Sequence, residues 1–233
     1  MSLFGFYDRI LHMKKKKLFL IITSSIIVSL SLAVAIPFIV LGINTAKIKA
    51  DYMYLKEDIN YQDKVEINDL ELVTQHVSCG YATIEMMSSF YGDKVTEDDL
   101  DARNGAISTS SSKGFLTEIK KTIPTKNFVM SSYLRSDELL KTIYGSIKNN
   151  NPVAIEWAAK YEEEWTLHFS VISALDIKND SVTVYNPYGY IEKINLDEFL
   201  DRTSFKSYSN IPLFLNFGFA YGAFHKNTVF YSL

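Results

Sequence analysis

The sequence predicts an α+β domain carried behind one membrane-crossing helix. Three observations lead there. Residues 18–43 form an uncharged apolar run, the stretch after it shows helical spacing of apolar residues, and the C-terminal half is dominated by short strand-like segments. Aromatics make up 14% of the chain, with 15 Tyr and 15 Phe, a composition that favours strands and a large core.

The apolar run reads LFLIITSSIIVSLSLAVAIPFIVLGI. As a helix it would reach roughly 39 Å, against a hydrocarbon core of about 30 Å, so it crosses a bilayer with some tilt. Pro37 lies inside it, which membrane helices tolerate. Residues 1–17 are basic, ending in Lys14 to Lys17. Beyond the run, Lys47, Lys49 and Lys56 are diluted by Asp51, Glu57 and Asp58. This bias places the N-terminus in the cytoplasm and the rest of the chain outside the cell. A cleaved signal peptide is the rival reading, with Ala33-Val34-Ala35 or Ala50 as the cut, but apolar sequence continues past Ala35. A buried soluble helix is disfavoured because the run has no polar face. Residues 44–60 read as a polar linker, and residues 61–233 as one self-standing domain.

Within that domain, Cys79, Ala82, Thr83, Met86, Met87 and Phe90 recur on one helical face, and Gly92 suits the helix end. Thr96 with Asp99 resembles a capping box opening a second helix. Ser108 to Gly114 reads as a loop by composition: a lid over a cleft, or a plain solvated loop. Leu139, Leu140, Ile143 and Ile147 mark a helix over 136–148, ended by Asn149-Asn150-Asn151-Pro152. Strands are expected at 153–157, 168–175, 181–185, 190–194 and 228–231.

Net charge is −3, so no bulk electrostatic drive toward nucleic acid exists. The single cysteine forms no intrachain disulfide and builds no cysteine metal cage. His12, His76, His168 and His225 are scattered without a metal-ligand motif, so neither a metal nor another cofactor is expected.

A lone cysteine is either a small core hydrophobe or a working thiol. Cys79 stands where its helix begins, where the helix dipole favours a thiolate and free backbone N–H groups can face an oxyanion. His168 heads a strand, and Asn186 follows the next one; on adjacent antiparallel strands the Asn carbonyl could fix the imidazole. The order Cys, His, Asn with a long first gap and a short second gap is the papain-like order.

The segments HVSCGYATIEMMSSFYG, NPVAIEW, WTLHFSVISALD and VTVYNPYGYIEKINLDEFL, in that order over about residues 70 to 200, resemble the C39-like peptidases of the papain-like superfamily. The closing FHKNTVF resembles that family's final strand. The resemblance implies a papain-like cysteine peptidase fold, with an N-terminal helix carrying Cys79 and an antiparallel sheet carrying His168 and Asn186. It also implies that Gln75 completes the oxyanion site, although family members usually place that Gln about six residues ahead of the cysteine and here it stands four ahead. Well-known members cut double-glycine leaders as cytosolic parts of exporters; the anchor expected here puts the domain outside, so leader cleavage is not carried over.

The reading is therefore a membrane-anchored thiol peptidase acting on a peptide or protein substrate through an acyl-enzyme. The alternatives are an inactive peptide-binding module and an acyl or amide transferase using the same triad. His76 is read as a rim residue and His225 carries no motif. Trp157 and Trp165 are either cleft walls or core.

Overall fold

The computed structural model describes residues 3–105 and 109–233. The chain divides into two compact units, residues 1–42 and 43–233. In chain order the elements are α1 (Leu3–Lys47), two 3₁₀ turns (Met53–Lys56 and Ile59–Tyr61), β1 (Val65–Glu66), α2 (Cys79–Phe90), α3 (Glu97–Asn104), α4 (Ser112–Thr122), β2 (Phe128–Ser131) and α5 (Ser136–Lys148). There follow β3 (Val153–Tyr161), β4 (Glu164–Asp176), β5 (Ser181–Asn186), β6 (Tyr190–Ile194), α6 (Leu196–Thr203), α7 (Leu213–Ala220) and β7 (Thr228–Ser232).

Within α1, the stretch Phe19–Lys47 is long and apolar enough to cross a membrane, with a mean hydropathy of 2.7. Three of its hydroxyls are spent internally: Thr23, Ser24 and Ser31 donate to the carbonyls of Phe19, Leu20 and Ile27, one turn back. That pairing hides polar atoms that hydrocarbon could not solvate.

The second unit is built on an antiparallel sheet in the order β2-β7-β3-β4-β5-β6, with β1 added along the far end of β4. β3 and β4 form a long hairpin paired from Val153–Ile172 to Tyr161–Glu164. Its seven consecutive buried positions in β3 and eight in β4 make this hairpin the floor of the core. Rings fill the space above it: Phe115 of α4 stacks on Phe169 of β4 at 4.4 Å and leans on Phe230 of β7 at 4.6 Å. Aromatic contacts of this kind add about 0.5–1.5 kcal/mol each beyond the area they bury.

Several boundaries differ from the sequence expectation. The segment 44–60 is not a free linker: Ile48, Tyr52 and Leu55 are buried, Tyr52 donates to Asp197 at 2.6 Å, and Ser136 N–H holds the Ile48 carbonyl at 3.0 Å. Polar composition concealed three anchors spaced three or four residues apart. The serine-rich loop also ends early. Ser111 caps α4, accepting from Gly114 N–H, so Ser112, Lys113 and Gly114 are helical. Ser108 lies outside the described residues, and so the expected lid is only partly in view. His168 stands inside β4 rather than at its head.

One polar cluster crosses this core. Glu156 of β3 is fully buried. Its carboxyl shares a 2.5 Å hydrogen bond with the Ser112 hydroxyl and accepts from His225 N–H at 3.2 Å, while His225 Nδ1 lies 3.0 Å from Ser112 Oγ. Burial pushes the Glu156 carboxyl up to about 8, against the opposing pull of Ser112 and the His225 backbone. Since the folded pKa lies above the unfolded value of 4.5, the folded chain holds a proton that the unfolded chain releases. The corresponding stability is full below about pH 4.5 and is lost as pH rises toward 8, at up to about 1.4 kcal/mol per pH unit. Urea unfolding of the full chain between pH 5 and 8 should show the parent losing stability relative to Glu156→Gln; parallel pH profiles for the two would refute a neutral Glu156.

Candidate active site

Cys79 is the first residue of α2. Ser78 caps the helix in extended backbone, accepting from Tyr81 N–H at 3.2 Å, and the Ala82 N–H takes the Ser78 carbonyl at 3.0 Å. The approach loop is clamped by one carboxylate. Glu97, fully buried at the start of α3, accepts from His76 N–H at 3.2 Å, Val77 N–H at 2.9 Å and Ser78 N–H at 3.0 Å. Glu97 N–H in turn donates to Glu85 at 2.6 Å. Charge-assisted bonds of this sort are about twice as strong as neutral ones, so three of them fix where α2 begins. Gly80 permits a further close approach: a Cβ there would sit 2.5 Å from the Thr109 side chain.

The Cys79 thiol is half-buried. Burial pushes it up to about 11, opposed by hydrogen bonds from the backbone N–H groups of Phe169 and Gly80 and by its own amide. Phe169, the residue after His168 on β4, lines the same cleft as Cys79.

His168 is 1% exposed and lies opposite Trp157 across the β3–β4 hairpin. Its Nε2 is 2.9 Å from Asn186 Oδ1. The Tyr188 ring stacks on the imidazole at 4.0 Å and is itself held by a 2.7 Å bond between its hydroxyl and that of Thr166. Asn186, fully buried at the end of β5, has its amide saturated. Oδ1 also accepts from Tyr188 N–H at 3.0 Å, and Nδ2 donates to Tyr190 Oη at 3.1 Å and Glu192 Oε1 at 2.9 Å. Two donors and two acceptors use the whole capacity of the group. With its oxygen turned toward the ring, Asn186 requires the proton on Nε2, which leaves Nδ1 as the basic nitrogen. Burial, chiefly, pulls His168 down to about 3; the Asn186 bond opposes this, and the Arg202 charge adds to it.

Behind Asn186 stands an ion pair between the buried Arg202 and the half-buried Glu192. Arg202 of α6 binds Glu192 of β6 through Nη1 at 2.6 Å and Nη2 at 3.1 Å, donates Nε–H to the Ala158 carbonyl at 2.9 Å, and lies 3.7 Å over the Trp157 ring. Trp157 is thus core, fully buried, whereas Trp165 lines the cleft beside Cys79. That cleft has a volume of about 520 Å³. Gln75 is tied to the other end of the site, its N–H donating to the Pro187 carbonyl at 2.8 Å. Its side-chain Oε1 is buried without a hydrogen-bond partner, at a depression of about 380 Å³ that Pro187 and Tyr188 also line. His76 is exposed and bonds Asp98 at 2.8 Å, and His225 belongs to the Glu156 cluster. Among the described residues no group of three or more His, Cys, Asp or Glu side chains is placed to hold a metal ion.

Sequence reasoning missed Glu97, Tyr188, Glu192 and Arg202. The Thr96–Asp99 capping box is present, and Glu97 within its first turn looks in the sequence like one more acidic residue at a helix start. Glu192 and Arg202 sit in stretches that read as an ordinary strand and helix face, and nothing local marks their pairing.

The second unit thus combines an antiparallel sheet, helices packed on it and a thiol at the start of one helix. The chain belongs to the Peptidase_C39 like family, whose model matches residues 67–212. No curated protein matches it. Among solved structures it is similar to a double glycine motif protease from an AMS/PCAT transporter in complex with the leader peptide, at 12% identity, covering 72% of this chain and 97% of that one, with a TM-score of 0.45.

Removing one partner of a buried pair strands the other charge, at a cost of about 3–5 kcal/mol. Glu192→Leu should therefore lower unfolding free energy by about that amount in denaturant titration, and Glu192→Gln, which keeps an acceptor for Asn186, should cost clearly less. Negligible losses in both variants would show that Arg202 and Asn186 do not depend on the carboxylate.

Proposed function

We infer that this protein is a thiol peptidase in which Cys79 is the nucleophile, His168 the general base, Asn186 the residue that orients it, and Gln75 a contributor to the oxyanion site. The observation that carries the reading is the 2.9 Å His168–Asn186 bond, with an Asn186 amide that can face only one way, beside a cleft that Cys79 lines together with Leu167 and Phe169, the two neighbours of His168 on β4.

The chemistry starts from a neutral pair, because burial raises the thiol and lowers the imidazole. As Sγ attacks a peptide carbonyl carbon, its proton passes to Nδ1 of His168. The carbonyl oxygen takes the electron pair and is met by N–H groups at the start of α2, with the Gln75 amide beside them. The imidazolium returns the proton to the leaving amine as the C–N bond breaks, leaving a thioester on Cys79. Water, deprotonated by the same nitrogen, then releases the acid and frees the thiol. Residues 18–43 anchor the chain in the membrane with the folded unit outside, so the substrate is a peptide or unfolded segment at that surface.

A second reading, a peptide-binding module without turnover, draws on the same neutral resting pair, since a thiol held up to about 11 is a weak nucleophile until substrate arrives.

A peptide-library digest with the parent and Cys79→Ala side by side separates the two. Cleavage should fall by at least about 10³-fold in the variant; equal products would end the peptidase reading. Iodoacetamide alkylation of Cys79 at pH 7 should slow at least about tenfold in His168→Ala, and an unchanged rate would remove His168 from the reaction. Protease shaving of intact cells should release the folded unit; its protection would reverse the orientation.

A further inference from the structure

The helix α7 has the sequence LFLNFGFA and lies beyond the residues that the family model matches. It is held from below: Leu215 and Phe219 are buried, and Phe219 packs edge-on against Phe205 at 4.7 Å. Yet Leu213 is 71% and Phe214 70% exposed. Large apolar side chains set side by side in water mark a surface that meets something. Phe214, Leu215 and the following Phe224 line the Cys79 cleft together with Trp165, Leu167 and Phe169 of β4. The wall is built rather than incidental. Gly218 admits the Phe224 ring, which a Cβ would meet at 2.6 Å, and the Gly218 carbonyl accepts from Ala223 N–H at 2.8 Å and Phe224 N–H at 3.3 Å.

We propose that the cleft between α7 and β4 is a specificity subsite that receives a large apolar side chain of the substrate peptide, close to the bond cut at Cys79. This deepens the peptidase reading and rests on it. The volume of about 520 Å³ falls in the usual range of ligand clefts, about 300–1,000 Å³. Among the described residues of the lining, the exposed Glu164 is the only charged one. An acidic or basic side chain would therefore lose water in the cleft and gain no buried partner, whereas an apolar one gains by transfer alone. A lipid surface is the rival occupant of Phe214. The peptide is favoured because Phe214 and Cys79 line the same cavity.

The test uses the full chain in nanodiscs and matched fluorescent peptides that differ at one residue beside the scissile bond: Gly, Asp, Lys, Leu or Phe. The Leu and Phe peptides should exceed the Gly peptide in kcat/KM by roughly 10–100-fold, and Phe214→Ser should shrink that ratio about tenfold. Phe214 is so exposed that this change removes little core. The same peptides are then bound to Cys79→Ala by anisotropy. The apolar preference in affinity should persist there and weaken in Cys79→Ala/Phe214→Ser. Binding preference without cleavage by the parent would sink turnover and keep the subsite. Cleavage with no preference among the five peptides would sink the subsite and keep turnover. A third outcome also overturns the proposal: peptide preference unchanged by Phe214→Ser, with Phe214→Trp fluorescence quenched by brominated lipid, which would assign the helix face to the membrane.

Discussion

Everything at the centre of this molecule depends on the amide of Asn186 having one orientation. An asparagine presents two nearly superimposable faces, and only its neighbours decide which end is oxygen. Here the Tyr188 N–H and the imidazole take the oxygen, and Tyr190 and Glu192 take the nitrogen. Glu192 is in turn fixed by Arg202, which is locked over Trp157 and to the Ala158 carbonyl. The tautomer of one histidine is thus set by a relay that crosses four strands and one helix. A fully satisfied network is rigid, whereas a half-satisfied one would be worse than an apolar core.

The opposite side of the site is organised by a different physical device. The thiol is placed by the start of a helix, and that start is defined by Glu97 gathering three consecutive N–H groups. The two devices meet at β4, the longest strand, which carries His168 and whose Leu167 and Phe169 line the cleft with Cys79. A long, doubly paired strand is a stiff reference for both, and the packed rings of Phe115, Phe169 and Phe230 hold it in place beneath α4.

Much of this was legible in the residues. The period of Cys79 to Phe90 located α2 and its first residue, the apolar stripe of 136–148 located α5, and the order of strands after Pro152 matches the sequence expectation. What escaped was governed by contacts distant in sequence. Tyr52 and Leu55 look like linker residues until Asp197 and the core are brought to them. Ser112 looks like part of a polar loop until Ser111 caps a helix there. Gln75 illustrates the limit on the site itself: spacing raised the question of its reach, and the structure joins its backbone to Pro187 while leaving its amide oxygen unpartnered. Glu192 and Arg202 are joined across ten positions by a pairing that no period encodes.

The contact between Gly80 and Thr109 has an evolutionary corollary. The space there belongs to neither residue alone: a Cβ at 80 would lie 2.5 Å from the Thr109 side chain, so one small volume is divided between two positions. In descendants of this chain, growth at 80 is open only where 109 has already shrunk, and the order in which such changes accumulate is thereby constrained. The residue next to the thiol is in this way held to glycine by a neighbour far along the chain.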